Sequence, residues 1–169
     1  MPTQMAPDAA AAFSYAIQFA FTAETYEVHS WMLLLALLRD EKGVSAQALS
    51  DLGLTDTYGA WHEVLWALNA AEGLAPRAFT SQMRWARRAR RVADGSLRFA
   101  AMAGRSKVKA HDLLMALAAS EAVLPALFPD LDMSFDSVRR AVEKRSGDKY
   151  VLPEEGVEDV LASKDDIFA

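Results

Sequence analysis

The sequence predicts an all-α fold: an eight-helix tandem repeat of two four-helix units related by pseudo-twofold symmetry. Three observations predict it. First, Trp31-Met32-Leu33-Leu34-Leu35-Ala36-Leu37-Leu38 is apolar on every side. It holds no β-branched residue and consists largely of strong helix formers, so it reads as a short buried helix. It is far too short to cross a bilayer, which needs about 20 residues. Second, the chain repeats itself at an offset of about 80. Leu33-Leu34-Leu35-Ala36-Leu37 returns as Leu113-Leu114-Met115-Ala116-Leu117, Phe19-Ala20 as Phe99-Ala100, and Val28 as Val108. Ala48-Leu49 and Asp51-Leu52 return, with small deletions, as Ala126-Leu127 and Asp130-Leu131. Third, no stretch alternates with period two, so no sheet is expected. Each unit buries its apolar helix only partly by itself; packing the two together closes the core.

Taken in order, 1–7 reads as a flexible leader. Asp8 is expected to cap a helix reaching about Thr25, with Ala12, Ala16, Phe19, Ala20 and Ala23 on its apolar face. Ser30 is the expected N-cap of the Leu helix, and Gly43 its break. Ser45 is expected to cap a short helix, Ala46 to Leu52, stopped by Gly53. Thr55 is expected to cap the next, with Trp61, Val64, Leu65 and Leu68 on one face, ending at Gly73. Residues 74–79, with Pro76, form a linker. The second repeat, 80–146, opens with a long helix from Thr80 or Ser81 to about Ala103, stopped by Gly104. Gly95 weakens its middle by about 1 kcal/mol relative to Ala. A buried helix from about Ala110 to Ser120 follows, then a short piece from Val123 to Phe128. Ser134 caps a last helix to about Arg145. Residues 147–169 read as an acidic flexible tail. The domain is thus expected over 8–146, with repeat one at 8–73.

The chain has 169 residues and a net charge of −5, and the charge is segregated. Residues 1–83 carry −6, 84–109 carry +8, and the tail carries −5. Such segregation bears on partners more than on fold. Cysteine is absent, which removes disulfides, thiolate metal sites and cysteine nucleophiles. His29, His62 and His111 show no i, i+4 spacing, so no metal site is expected. There is no Gly-x-Ser-x-Gly elbow and no Gly-x-x-x-x-Gly-Lys-Ser/Thr phosphate loop. No catalytic residue, cofactor or membrane partner is expected, and the chain reads as a non-enzyme.

Up to this point the residues resemble the N-terminal (Clp R) double-repeat domain of Clp/Hsp100 unfoldases. That family carries a Thr-Glu-His-Leu-Leu-Leu-Ala-Leu-Leu signature in each half. Here it reads Ser30-Trp31-Met32-Leu33-Leu34-Leu35-Ala36-Leu37-Leu38 and Ala110-His111-Asp112-Leu113-Leu114-Met115-Ala116-Leu117-Ala118. Arg88-Ala89-Arg90-Arg91-Val92 matches the family's Arg-Ala-basic-basic-Val helix start. In bacterial members that read phosphorylated arginine, the signature Glu pairs with the guanidinium and a Thr opening each repeat holds the phosphate. Those Glu positions are Trp31 and His111 here, and the Thr positions fall by spacing on Ala6 and Ala86. A guanidinium needs a carboxylate fork, so the resemblance implies that phosphoarginine binding is lost.

With no ATPase module, the chain is similar to stand-alone accessory subunits of the ClpT type. The resemblance then implies a non-catalytic adaptor of a Clp protease, binding the core ring (ClpP/ClpR-type) or a Clp chaperone, in a plastid stroma. Outside that class, a bacterial cytoplasm is implied. An alternative is a stand-alone domain similar to the ClpV N-domain, which grips a helix of the type VI secretion sheath.

Candidate partner-binding residues follow from exposure and charge. Trp31 and Met32 stand at the end of the Leu helix, where the family keeps polar residues. Trp31 is either an interface anchor or a filler of the seam between repeats. His111 holds the matching place in repeat two. Arg84, Arg87, Arg88, Arg91 and Arg98 read as one helical stripe, and the first four are the candidates. That stripe reads as a solvated face, a docking surface for an acidic protein, or a nucleic-acid surface, and the acidic balance of the chain argues against nucleic acid. Ile167-Phe168 reads either as an apolar tip entering a partner's pocket or as part of a solubilising tail. The acidic tail could also fold back on the Arg stripe.

Overall fold

A computed structural model describes residues 4–23, 27–56, 59–64, 84–120, 123–154, 156–161 and 167. The helices are α1 (Pro7–Thr22), α2 (Ser30–Arg39), α3 (Val44–Asp51), α4 (59–64), α5 (Arg87–Met102), α6 (Ala110–Ala119), α7 (Val123–Leu127) and α8 (Phe135–Ser146). A 3-10 turn, Val157–Val160, follows. The all-α, eight-helix tandem repeat is therefore the observed architecture. The linker 74–79 and the end of α4 with Leu65, Leu68 and Gly73 lie outside the described residues. The long helix expected from Thr80 or Ser81 begins instead at Arg87, because Arg84–Trp85 are extended and Ala86 is the N-cap.

The two apolar helices form the centre. Every residue from Ser30 to Leu38 is buried, as is every residue from His111 to Leu117. The helices α2 and α6 pack on each other. Each also packs against the long helices of both repeats, α1 and α5. Full burial explains their composition: a helix with no solvent face needs no polar stripe. At about 25 cal/mol per Å² of apolar surface removed from water, this pair dominates the core.

One expectation is corrected. The fold contains a two-stranded parallel sheet, β1 (Glu27–Val28) with β2 (Arg84–Trp85), registering Glu27 on Arg84 and Val28 on Trp85. An isolated parallel bridge joins Met5 to Val108. These are the same contact made twice. Val28 and Val108 are 80 residues apart, and so are Trp85 and Met5. The Ala86 N–H donates to the Val28 carbonyl at 2.9 Å, and the Ala6 N–H donates to the Val108 carbonyl at 2.8 Å. Each repeat thus lends the segment before its first helix to the other repeat. Two-residue strands are too short to show period-two alternation, so they leave no pattern to read.

The start of the chain is part of this exchange. Met5 is buried, and Val108 donates its N–H to the Gln4 carbonyl at 2.7 Å. Helix starts also shift from expectation. Ala6 rather than Asp8 is the N-cap of α1, and Pro7 takes the first turn, where its missing N–H costs nothing. Asp8 instead accepts from the Ala110 N–H of α6 at 3.2 Å, tying the repeats together. His29 caps α2 and Gly43 caps α3, in place of Ser30 and Ser45. Asp56, not Thr55, caps α4, accepting from the Gly59 N–H at 2.9 Å. Ser134 caps α8 as expected, accepting from the Ser137 N–H. Gly53 and Gly104 stop their helices with positive φ, the left-handed conformation glycine tolerates.

The segment after α8 is docked on repeat two. Tyr150, Val160 and Ile167 are buried. Gly95 acquires a purpose there: a Cβ on it would stand 2.7 Å from Leu161 Cδ2. The glycine that weakens α5 lets the segment beyond α8 lie close against the helix. The neighbouring Ser96 is buried too, and its hydroxyl donates to the Ala93 carbonyl at 2.6 Å.

Candidate functional site

The equivalent edges of the two central helices are built differently. In repeat one, Trp31 and Met32 lie inside the protein rather than on its surface: Met32 is fully buried and Trp31 nearly so. Met32 Sδ accepts from the His29 N–H at 3.4 Å, so the thioether closes the first turn of α2. Trp31 Nε1 and Ser30 Oγ are buried without a hydrogen-bond partner.

In repeat two the same turn carries a polar network. Asp112, matching Met32, is fully buried. Its Oδ2 accepts from the Lys109 N–H at 2.8 Å, the counterpart of the Met32–His29 contact. Its two oxygens also take the Arg105 guanidinium bidentately, at 2.8 and 2.7 Å. The Tyr150 hydroxyl donates to Oδ1 at 2.8 Å. Asp148 adds a second carboxylate, 2.9 Å from Arg105 and 2.7 Å from His111 Nε2. His111 Nε2 carries its proton toward Asp148, since a carboxylate only accepts.

The electrostatics follow from this geometry. Burial works against the Arg105 charge, but the hydrogen bond and charge of Asp112, joined by Asp148, outweigh it and raise its pKa. Burial pushes the Asp148 carboxyl up; the His111 hydrogen bond and the Arg105 charge outweigh that and hold it below the ordinary aspartate value. Burial and the Asp112 charge both raise the Tyr150 phenol, which stays neutral. Sequence alone marks none of Arg105, Asp112 and Asp148 as site residues. The available signal was Asp112 itself, a carboxylate at the third position of an otherwise apolar helix, where an acid closes a capping box.

The arginine stripe is at the surface. Arg84 on β2 and Arg87, Arg88 and Arg91 on α5 are exposed, without an ion pair among the described residues. Arg90, on the same helix, pairs with Asp94 at 3.1 Å. Ile167 is buried, and its N–H donates to Asp94 Oδ1 at 3.0 Å, so this residue folds back onto α5. Phe168 lies outside the described residues. The structure therefore brings the four arginines together and sets them apart from Trp31, Met32 and His111, which are interior. Among the described residues no group of His, Asp or Glu converges to hold a metal ion. No helix among them is long and apolar enough to cross a membrane.

Two apolar helices at the centre of a reciprocal double repeat define a Clp-type N-terminal repeat fold. The chain belongs to the Clp repeat (R) N-terminal domain family, whose model matches residues 4–131. It is 52% identical over 154 residues to a Chlamydomonas reinhardtii protein named ATP-dependent Clp protease ATP-binding subunit CLPT4, chloroplastic. The match covers 90% of this chain and 63% of that relative, so the chain spans under two thirds of the relative's length. Among solved structures, the N-terminal domain of the ClpV1 ATPase from the Escherichia coli Sci1 type VI secretion system superposes with a TM-score of 0.64. Identity is 21%, with 89% of this chain and 91% of that one covered. A structure from investigations of a malarial protein secretion system gives a TM-score of 0.68 at 13% identity, covering 84% and 94%. At these identities the structural neighbours establish the fold.

Proposed function

We propose that this protein is a non-catalytic accessory subunit of a Clp-type ATP-dependent protease, working in a plastid, and that it binds the protease core ring or its chaperone. The observation that carries this reading is the identity to the chloroplastic Clp subunit, which runs through both repeats and 90% of the chain. The chain contains no phosphate-loop motif, so the work assigned to it is binding rather than ATP hydrolysis.

The four exposed arginines are the docking surface, and their partner is an acidic protein face. Exposed arginines offer planar forks that match carboxylates.

Phosphoarginine is not a ligand in this reading. Ala6 and Ala86 are the N-caps of α1 and α5 and bring no hydroxyl to either helix start. Trp31 is interior, and His111 is committed to Asp148. Of the carboxylates at this edge, Asp112 already holds a guanidinium from the chain itself, and Asp148 is shared between Arg105 and His111.

The test is co-elution of the purified chain with purified ClpP-type ring and, separately, with Clp chaperone. A complex with either is expected, weakened by Arg88→Glu/Arg91→Glu and by added salt. Absence of any complex at low salt would overturn the reading.

A further inference from the structure

A second surface has no part in that reading. The turn after α3 and the start of α4 face the turn after α7 across a groove with a cavity volume of about 870 Å³. That size falls within the range of about 300–1,000 Å³ typical of ligand pockets. The two walls are repeat equivalents, since Asp51-Leu52 matches Asp130-Leu131, so the groove straddles the boundary between the repeats. Leu54 and Phe128 form its buried floor. Leu127 and Leu131 line it half-buried, and Ala126 stands exposed beside them.

Leu131 reaches this position because Gly53 has no side chain: a Cβ there would lie 2.9 Å from Leu131 Cδ2. The rim is acidic. Asp56, Glu63 and Asp130 line the groove and, among the described residues, no lysine or arginine does. Asp56 is engaged at the start of α4, whereas Glu63 and Asp130 make no ion pair among the described residues.

We infer that this groove binds a short peptide segment of a partner protein, one with an apolar core flanked by lysine or arginine. The apolar walls provide the affinity and the uncompensated carboxylates choose the flank, since opposite charge at a rim steers association and like charge repels. An acidic segment, including the chain's own acidic residues beyond α8, is disfavoured by the same rim. The inference does not depend on protease binding: the arginines used there are on α5 and β2, and the groove is built by other elements.

The experiment uses the full chain and two fluorescein-labelled synthetic peptides with the same Leu-Phe-Leu core, one flanked by lysines and one by glutamates, followed by fluorescence anisotropy. The lysine peptide is expected to saturate and the glutamate peptide to bind about tenfold more weakly. Ala126→Arg places bulk and positive charge at an exposed site that folding does not need, and should weaken the lysine peptide about tenfold. Glu63→Lys/Asp130→Lys should reverse the preference between the two peptides. Arg88→Glu, away from the groove, should leave the preference unchanged. Thermal melts verify that each variant is folded. Failure of the lysine peptide to saturate by millimolar concentration, or saturation that Ala126→Arg leaves unaltered, would overturn the inference.

Discussion

Replacing Asp112 by alanine removes the acceptor on which the repeat-two network converges. Four hydrogen bonds end on this carboxylate: two from Arg105, one from Tyr150 and one from the Lys109 backbone. Asp112 is fully buried and the Arg105 side chain is only 17% exposed, so water does not take over the lost partners. Breaking a buried ion pair by removing one member costs about 3–5 kcal/mol, because the other charge is stranded.

Arg105 keeps Asp148 and the Lys107 carbonyl, which argues for the lower end; its Nε, already buried without a partner, gives no relief. The Tyr150 hydroxyl loses its acceptor as well, about 1–3 kcal/mol for a buried group left unpaired. A total near 4 kcal/mol corresponds to a fall in Tm of roughly 10 °C for a domain of this size. Urea unfolding and thermal circular dichroism measure it directly. Asp112→Asn keeps one oxygen acceptor and should lose about half as much. The double variant Arg105→Met/Asp112→Leu should recover most of the loss, since apolar replacement of a buried pair is often neutral. Asp112→Ala within about 1 kcal/mol of wild type, or a double variant no better than the single, would refute the reasoning.

Other outcomes follow from the same contacts. The Asp148 carboxyl is held below its ordinary value, so its stabilisation is complete above about pH 4 and is lost as pH falls through the lowered value; NMR titration of its side chain reads this. Tyr150 is shifted up, so its contribution is complete below about pH 10 and declines as pH rises above that, where only the unfolded chain ionises; alkaline unfolding with absorbance at the phenolate band follows it. Gly95→Ala gains about 1 kcal/mol of helix propensity but drives a Cβ against Leu161. Global Tm should change little while proteolysis beyond α8 accelerates; unchanged proteolysis would contradict the close packing. Titration calorimetry with phosphoarginine should show no saturable binding, and a specific site would contradict the loss argued from Ala6, Ala86 and the filled Asp112 fork.

Much of the fold was legible because its centre is chemically simple. A helix buried on every side leaves an uninterrupted apolar run, and two such runs at a fixed offset specify a paired core. What the sequence hid depends on contacts between distant segments. The β1–β2 pair and the Met5–Val108 bridge are too short to leave a pattern. Gly95 carries a local helix penalty, and the sequence says nothing of the Leu161 side chain it admits. Trp31 reads from sequence as either an anchor or a filler of the seam between repeats; in this fold its indole is interior. The arginine stripe was visible as a spacing and remained one. The network was not, because Arg105, Asp112, Asp148 and Tyr150 meet across as many as 45 positions of chain, and only Asp112 breaks a local rule.

The proposed function has this Clp-family repeat domain bind a component of a Clp protease through its surface arginines. The most direct measurement is native mass spectrometry of the purified chain titrated onto purified ClpP-type ring or Clp chaperone, with Arg88→Glu/Arg91→Glu in parallel. A discrete added mass is expected for the wild-type chain and a weaker one for the variant. No added mass with either component, or equal binding by the variant, would contradict it.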